Sequence, residues 1–411
     1  MRGVMRRGLR CAALAAVLVP SSAGAQSSML TESDALARLS TDSPRVRAIR
    51  AAVDVARTDV LAAGRWPNPR VTVNRESVAG VTEYLTMVSQ PLPITGRRGL
   101  DARSASSMVA ATSNRADDDV RRLRADLRLA FAELVAAQTR ERALTTARDR
   151  LRELAEVLAK REAAGDAAGF DRLRAEREVL DIETDRAVAA TDRKRAQATL
   201  ASFFGNMPDP TQIEAVSAPT AAADLPSLET LLERAETTRG ELLGLQREIE
   251  AAGLAQRAAE RRLIPEPEIV AGTKSSSVGG GDVGSVVMVQ AALPLFDRAR
   301  PERARAAATA AQAEAQADAF RLVLRGQIAA LRAAVLERRR AAKRYQAEAV
   351  QSADEIERIA QVSYDAGERS ILELLDAYRV GASARTRQAT LDQAVRQAEI
   401  ELEFVSGWEI P

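Results

Sequence analysis

The chain has 411 residues, with 59 basic and 57 acidic side chains, one cysteine and no histidine. The absence of histidine excludes a Ser-His-Asp triad, a histidine general base and most zinc sites. Only four of the basic residues are lysine, so the composition argues against an enzyme and leaves carboxylate-only hydrolysis as the enzymatic alternative.

The first 25 residues have the order of a secretory signal peptide. Four arginines flank or precede the apolar run 11–19, which is too short to span a bilayer, and a small-residue cleavage site, Ala-Gly-Ala, ends at residue 25. Without these four positive charges the formal net charge falls from +2 to −2, and no clustered basic surface for nucleic acid is evident. We predict an exported chain that binds no nucleic acid and crosses no membrane as a helix.

The rest of the chain contains a tandem repeat. Three motifs recur in the same order at offsets of 198 to 202 residues. They are Trp-Pro-Asn-Pro at 66–69 with Ile-Pro-Glu-Pro at 264–267, Leu-Pro-Ile at 92–94 with Leu-Pro-Leu at 293–295, and Ala-Gly-Asp at 164–166 with Ala-Gly-Glu at 366–368. The predicted organisation is therefore a signal peptide (1–25), a first repeat (26–216), a proline-containing linker (217–226) and a second repeat (227–411).

Each repeat predicts the same order of elements. A helix ends at prolines, two short valine- and threonine-rich segments form a hairpin, and a very long helix then turns at a glycine into a returning helix. The predicted bounds are 31–64, 70–76, 82–92, 98–163 and 170–204 in the first repeat, and 227–262, 268–275, 284–295, 301–364 and 371–405 in the second.

Both long helices carry a seven-residue apolar period, which is typical of coiled-coil packing. The positions are Leu123, Ala130, Ala137, Leu144, Leu151 and Leu158 in the first, and Ile328, Val335, Ala342, Ala349 and Ile356 in the second. About 65 residues at 1.5 Å per residue give a helix of ~100 Å, which excludes a compact globule.

The four short strands allow two interpretations. Strands of roughly 8–11 residues suit a tilted transmembrane barrel, but four strands cannot close alone. Two chains would give a filled eight-strand barrel, and three chains would give twelve strands around a lumen. The alternative is a soluble β-patch at the end of an exported coiled coil, which the scarcity of aromatic residues favours.

Two segments carry a resemblance to a known family. They are Gln-Pro-Leu-Pro-Ile-Thr-Gly-Arg-Arg at 90–98, where a strand leads into a long helix, and Tyr-Asp-Ala-Gly-Glu-Arg-Ser-Ile-Leu-Glu-Leu-Leu-Asp at 364–376, at the second glycine turn. With these motifs the layout of residues 28–405 resembles the TolC-like outer-membrane efflux factors. The first motif is similar to the branch that serves heavy-metal and cation efflux pumps.

The resemblance implies a mainly α fold with a small β part. Three chains would form a long α-helical coiled-coil barrel and share a twelve-strand transmembrane β-barrel, four strands per chain. The implied function is a passive exit duct in the outer membrane, with a large periplasmic portion, for a tripartite efflux or type I secretion system. The implied partners are two further copies of the chain, a periplasmic adaptor (membrane fusion) protein, an inner-membrane pump and outer-membrane lipid, with no cofactor. A soluble periplasmic coiled-coil scaffold or adaptor remains the alternative.

The resemblance also implies a gate at the periplasmic end. Tyr364 and Arg369 resemble the gate tyrosine and arginine, and Asp171 resembles their acidic partner. Glu373 and Asp376 resemble two acids that ring the pore, the first with glutamate where the best-known members carry aspartate. Three copies of this i, i+3 pair would place six carboxylates around one axis and attract cations, although ordinary solvated helix charges have the same spacing.

The glycine turns complete the predicted site. Gly165 and Gly367 lie at the tips where the family meets its adaptor, and both also act as helix stop signals. No catalytic, cofactor-binding or metal-binding residue is predicted.

Overall fold

The computed structural model describes residues 28–39, 43–165, 169–205, 209–217 and 224–408. The predicted signal peptide, Asp166 of the repeated tip motif and most of the predicted linker lie outside these ranges.

The elements follow the predicted order in both halves. In the first half they are β1 (Ser28–Leu30), α1 (Glu32–Arg38), α2 (Pro44–Gly64), β2 (Arg70–Val78), β3 (Val81–Pro91), α3 (Arg97–Ala163), α4 (Gly169–Ala201) and β4 (Ile213–Ala215). In the second half they are α5 (Leu228–Thr238), α6 (Gly240–Glu260), β5 (Pro267–Ser276), β6 (Val283–Ala291), α7 (Arg300–Tyr345), α8 (Gln351–Asp365) and α9 (Ile371–Ser406). The short strands β1 and β4 pair in parallel and were not predicted.

The first predicted helix of each repeat is in fact two helices. In the first half Pro44 starts α2, because proline lacks the N–H that a continuing helix would need and suits the first helical turn. In the second half Arg239 is extended, with φ −74° and ψ 113°, and separates α5 from α6. Its buried guanidinium binds Asp118 of α3 at 3.1 Å, so the break brings the charge to its partner.

The helices form a layer four helices wide. Near the sheet the lateral order is α2, α3, α6 and α7, and farther away it is α4, α3, α9 and then α7 with α8. At 67 residues, α3 runs the full length of the layer, which is ~100 Å. The layer therefore has two open edges, one made by α2 and α4 and the other by α7 and α8.

The predicted heptad holds along α3 but fails near the end of the second long helix. Ile328, Val335 and Ala342 are buried as expected, but Ile356 is 47% exposed and its neighbour Glu357 is buried instead. The reason is a π-helical turn, Gln346–Val350, in which the backbone takes one residue more than an α-helical turn would and so shifts the seam by one position. The same extra residue explains why the offset between the repeats grows from 201 at the Leu-Pro motif to 202 at the tip.

The two predicted hairpins join into one antiparallel sheet in the order β2-β3-β5-β6, which leaves β2 and β6 as edges. Side chains directly opposite each other share a face, and the row Val71, Val88, Ala271 and Val287 shows that one face is apolar. The exposed large apolar side chains on that face are Val71, Val73, Tyr84, Val88, Ile269, Val283, Val287 and Val289.

The opposite face of the sheet carries ion pairs. Arg70 pairs with Glu268 at 3.1 Å across the strands, and Lys274 pairs with Glu83 at 2.7 Å. No helix in the described ranges is long and apolar enough to cross a membrane.

Candidate functional site

The end of the helical layer far from the sheet consists of two equivalent turns. Gly165 follows α3 with φ +84°, and Gly367 follows α8 with φ +74°, a conformation that glycine adopts without strain. In the first turn the N–H of Gly165 donates to Glu162 O at 2.9 Å, and in the second the N–H of Gly367 donates to Tyr364 O at 3.0 Å. Both glycines thus close their helices in the same way, as their equivalent places in the repeat predict.

An apolar core directly behind the turns fixes the helices that carry them. Leu158 of α3, Ala175 of α4 and Leu374 of α9 are at most 2% exposed and belong to one cluster. Tyr364 packs against the edge of this cluster. The helices that carry the turns therefore pack together in one apolar core, to which both halves of the chain contribute.

The predicted gate tyrosine contacts an arginine of the first half. The Arg161 guanidinium lies 5.6 Å from the centroid of the Tyr364 ring and donates to its hydroxyl at 3.4 Å. Arg161 belongs to the last turn of α3 and was not among the predicted site residues. This contact ties the α8–α9 turn to α3 through a weak cation–π interaction.

The predicted ring acids are each paired with an arginine on their own helix or turn. Arg369 binds Glu373 at 3.0 Å and Arg379 binds Asp376 at 2.6 Å, with all four side chains about half exposed. The structure therefore joins Arg369 to Glu373 and gives Asp376 a separate partner, Arg379, which the i, i+3 spacing could have indicated. Each carboxylate is locally balanced by a guanidinium.

Asp171 lies in the first turn of α4 and is half-buried. Among the residues that the structure describes, its carboxylate forms no ion pair. The predicted Arg369–Asp171 contact is absent within one chain and stays a prediction for a contact between chains.

Sequence reasoning missed a buried carboxylate about three helical turns from the tip. Glu357 of α8 has a side chain only 7% exposed and accepts hydrogen bonds from two arginines. Arg385 of α9 donates twice at 2.8 Å, and Arg150 of α3 forms a third, very short contact. These hydrogen bonds raise the pKa of the Arg385 guanidinium. We call this group the Glu357 clamp, because it joins α3, α8 and α9.

A glycine makes room for the clamp. A Cβ at Gly381 of α9 would lie 1.5 Å from Oε1 of Glu357, so only glycine leaves space for the carboxylate. A glycine in the middle of a helix with no turn after it was the one signal in the sequence that could have pointed to this close approach. Beside the clamp, the Tyr378 hydroxyl binds Gln361 of α8, and burial raises the pKa of that hydroxyl.

No group of three or more His, Cys, Asp or Glu side chains in the described part of the chain could hold a metal ion. The tip contains ion pairs, a cation–π contact and glycine turns, and these features can form contacts with another protein chain.

A family model for the outer membrane efflux protein matches residues 231–407. The matched segment extends from α5 to the end of α9 and contains Tyr364, Arg369, Glu373 and Asp376, whereas Asp171 lies in the other repeat.

The described part of the chain has the fold of known outer-membrane channels. It is similar to the outer membrane protein VceC of Vibrio cholerae, with 17% identity over 92% of this chain and 96% of that one and a TM-score of 0.73. It is also similar to the Campylobacter jejuni CmeC outer membrane channel, with 14% identity over 92% of this chain and 85% of that one and a TM-score of 0.75. The open state of the Neisseria gonorrhoeae MtrE outer membrane channel has 15% identity over 92% of this chain and 88% of that one, with a TM-score of 0.72. These structures confirm the predicted fold across both repeats. No curated protein matches the chain in sequence.

Proposed function

We propose that this chain is the outer-membrane channel of a tripartite efflux or type I secretion system. The observation that carries the proposal is the four-stranded sheet at one end of ~100 Å helices, with exposed valines on one face and ion pairs on the other. A transmembrane barrel needs this alternation, because one face meets lipid and the other meets water. In a soluble β-patch the exposed valines would face water, and covering them or replacing them with polar residues would make the protein more soluble.

The open edges of sheet and helical layer fit a closed ring of three chains. In lipid, the unpaired N–H and C=O groups of β2 and β6 need partners, and β6 of one chain can supply them to β2 of the next. The helical edges follow the same order, since α2 leads into β2 and α7 leaves β6. Three copies give twelve strands and a ring of twelve helices around one lumen.

The tip is proposed as the periplasmic gate. In a ring, Arg369 of one chain comes near the neighbouring chain. It can then leave its ion pair with Glu373 and pair with Asp171 of that neighbour. Half-exposed ion pairs of this kind contribute only ~0–1 kcal/mol, so a partner could replace them at little cost. We assign Gly165 and Gly367 to the surface that meets a periplasmic adaptor protein, which links the duct to an inner-membrane pump.

Cations are the class of exported substrate that the Pro-Ile-Thr-Gly-Arg-Arg segment favours. In the present conformation, however, Glu373 and Asp376 are each balanced by an arginine. We infer that selection of the substrate belongs to the pump and the adaptor, while the channel conducts.

Planar bilayers test this function directly. The purified chain is expected to run as a trimer in detergent and to form channels, and Arg369→Ser with Tyr364→Phe is expected to raise the single-channel conductance. The matched control is Arg358→Ser with Tyr345→Phe, which changes the same residue types away from the turn and is expected to leave the conductance unchanged. Recovery of the chain in the soluble periplasm would refute the channel. Unchanged conductance in an intact gate variant would refute the gate.

A further inference from the structure

All four connections between the sheet and the helices lie at one end of the sheet. The register places Arg70 opposite Ser89, Pro91 opposite Glu268, and Pro267 opposite Ala291, so the strands enter and leave the sheet at one level. The Leu92 N–H donates to Pro267 O at 2.9 Å just beyond this level and links the two repeats there.

These connections are rich in arginine. We define the arginine collar as residues 64–69, 93–103, 260–266 and 292–305. It contains ten arginines, no lysine and five acids, for a net charge of +5, although residues 26–411 carry −2 overall. The arginines are Arg65, Arg97, Arg98, Arg103, Arg261, Arg262, Arg298, Arg300, Arg303 and Arg305. The four segments are far apart in the sequence, so no basic cluster is evident there, and only the fold brings the arginines together.

Within the described residues, ion pairs neutralise only a small part of this charge. Arg97 lies 3.6 Å from Glu266, and Arg262 pairs with Glu302. Among the described residues, the other eight collar arginines form no ion pair. Arg98 stacks over Trp66 at 4.6 Å from the ring centroid, and its buried Nη1 has no hydrogen-bond partner in the described ranges.

Exposed apolar side chains accompany the arginines. Phe296 is 99% exposed, Ile94 is 69% exposed and Trp66 is 55% exposed. Leu293 and Leu295 continue the same band beyond β6 and are also exposed. Apolar and aromatic side chains beside arginines are the arrangement that a membrane–water boundary favours, because the rings lie at headgroup level and the guanidinium groups reach the phosphates.

We propose that the arginine collar binds the headgroups of anionic phospholipids in the periplasmic leaflet of the outer membrane. The inference rests on the proposed function, which places the sheet in that membrane. Guanidinium groups bind phosphate with two parallel hydrogen bonds, and Arg98 lies over the Trp66 ring, which can contact the acyl chain. The collar then sets the depth of the barrel and selects the lipids around it.

The chain contains a built-in probe for this contact. It has two tryptophans, Trp66 in the collar and Trp408 at the end of α9, so Trp408→Phe leaves Trp66 as the only indole. The trimer would be reconstituted in vesicles that contain phosphatidylglycerol or phosphatidylcholine brominated near the headgroup end of the acyl chains. The relative association constant of the two lipids follows from their quenching of Trp66.

Phosphatidylglycerol is expected to bind beside Trp66 about fivefold more strongly than phosphatidylcholine for each arginine that meets its headgroup. Arg65→Gln with Arg98→Gln should bring the ratio close to one, and Arg65→Lys with Arg98→Lys should keep most of it. High salt should weaken the preference in the native chain. The matched control is Arg325→Gln with Arg387→Gln, two exposed arginines on α7 and α9 away from the sheet, which should leave the ratio unchanged.

The outcomes separate this proposal from the channel itself. Equal quenching by the two lipids in trimers that conduct would overturn the collar and leave the channel standing. Absence of quenching by either lipid in conducting trimers would also overturn it, because the collar would then lie away from lipid. Vesicles with neither conductance nor quenching would overturn the proposed function.

Discussion

Replacing Gly381 with alanine is expected to loosen the α8–α9 pair from α3. The added Cβ would lie 1.5 Å from Oε1 and 2.5 Å from Cδ of Glu357, so the carboxylate must leave its position. As it moves, it loses the two hydrogen bonds of 2.8 Å from Arg385 and the contact with Arg150. The perturbation therefore removes the Glu357 clamp without changing any charged residue.

The cost can be estimated from these contacts. A hydrogen bond to a charged group contributes about 1.5–3 kcal/mol, but the Arg385 and Arg150 side chains are 26% and 42% exposed and regain hydration. We take the loss as about 2–4 kcal/mol. Alanine is about 1 kcal/mol better than glycine inside a helix, so the net destabilisation is about 1–3 kcal/mol. Gly253→Ala in α6 has nothing within 4 Å of the new Cβ and is expected to stabilise by about 1 kcal/mol.

Hydrogen exchange measured by mass spectrometry on the detergent-solubilised trimer reports this difference locally. In Gly381→Ala, peptides from 351–365 and 371–390 should exchange about 5- to 140-fold faster, since 1.4 kcal/mol corresponds to a factor of ten. Gly253→Ala should leave these peptides unchanged. In a Glu357→Ala background, Gly381→Ala should cost nothing further, because no carboxylate remains to be displaced. A penalty that persists in that background would refute the clamp.

Three further expectations can be checked separately. Arg379→Gln should raise cation-over-anion selectivity in bilayers, because Asp376 loses its balancing charge, and unchanged reversal potentials would contradict this. Gly240→Ala should destabilise the trimer by at least about 2 kcal/mol in thermal or denaturant unfolding, because its Cβ would lie 2.0 Å from a backbone oxygen of α3, whereas a change within error would contradict the close packing. Burial raises the pKa of Glu32, but Arg396 and Arg128 outweigh it and hold the pKa below 4.5, so the stability from the ionised form is present above that pH and is lost as the pH falls. Glu32→Gln should therefore cost about 1–2 kcal/mol at pH 7 and progressively less as the pH falls below 4.5, and a cost that does not change with pH would contradict the pairing.

The order of elements was predictable because its signals are local. Prolines before β2 and β5, glycines at 165 and 367, and the apolar period of α3 each act on neighbouring residues, and the structure confirms them. The pairing of β3 with β5 was less accessible, since it joins strands almost 200 residues apart and depends on the sheet as a whole.

The site was only partly predictable for a different reason. Tyr364, Arg369 and Glu373 were proposed from a motif, but a motif does not reveal contacts. The structure places Arg161 against Tyr364 and pairs Arg369 with Glu373. Glu357 was missed because the seven-residue count continued through residues 346–350 and placed Ile356 in the seam. Periodicity alone cannot reveal where a helix takes in one extra residue.

That extra residue has made two duplicated halves unequal. In the first repeat the corresponding seam is apolar, with Leu151, Leu154 and Leu158 buried. In the second, the shift by one position removes Ile356 from the seam and installs a carboxylate held by arginines. Water cannot compete for leucine contacts, but it can replace the partners of an ion pair. At this level the seam of the first repeat is therefore purely apolar, whereas the seam of the second contains an ion-paired carboxylate.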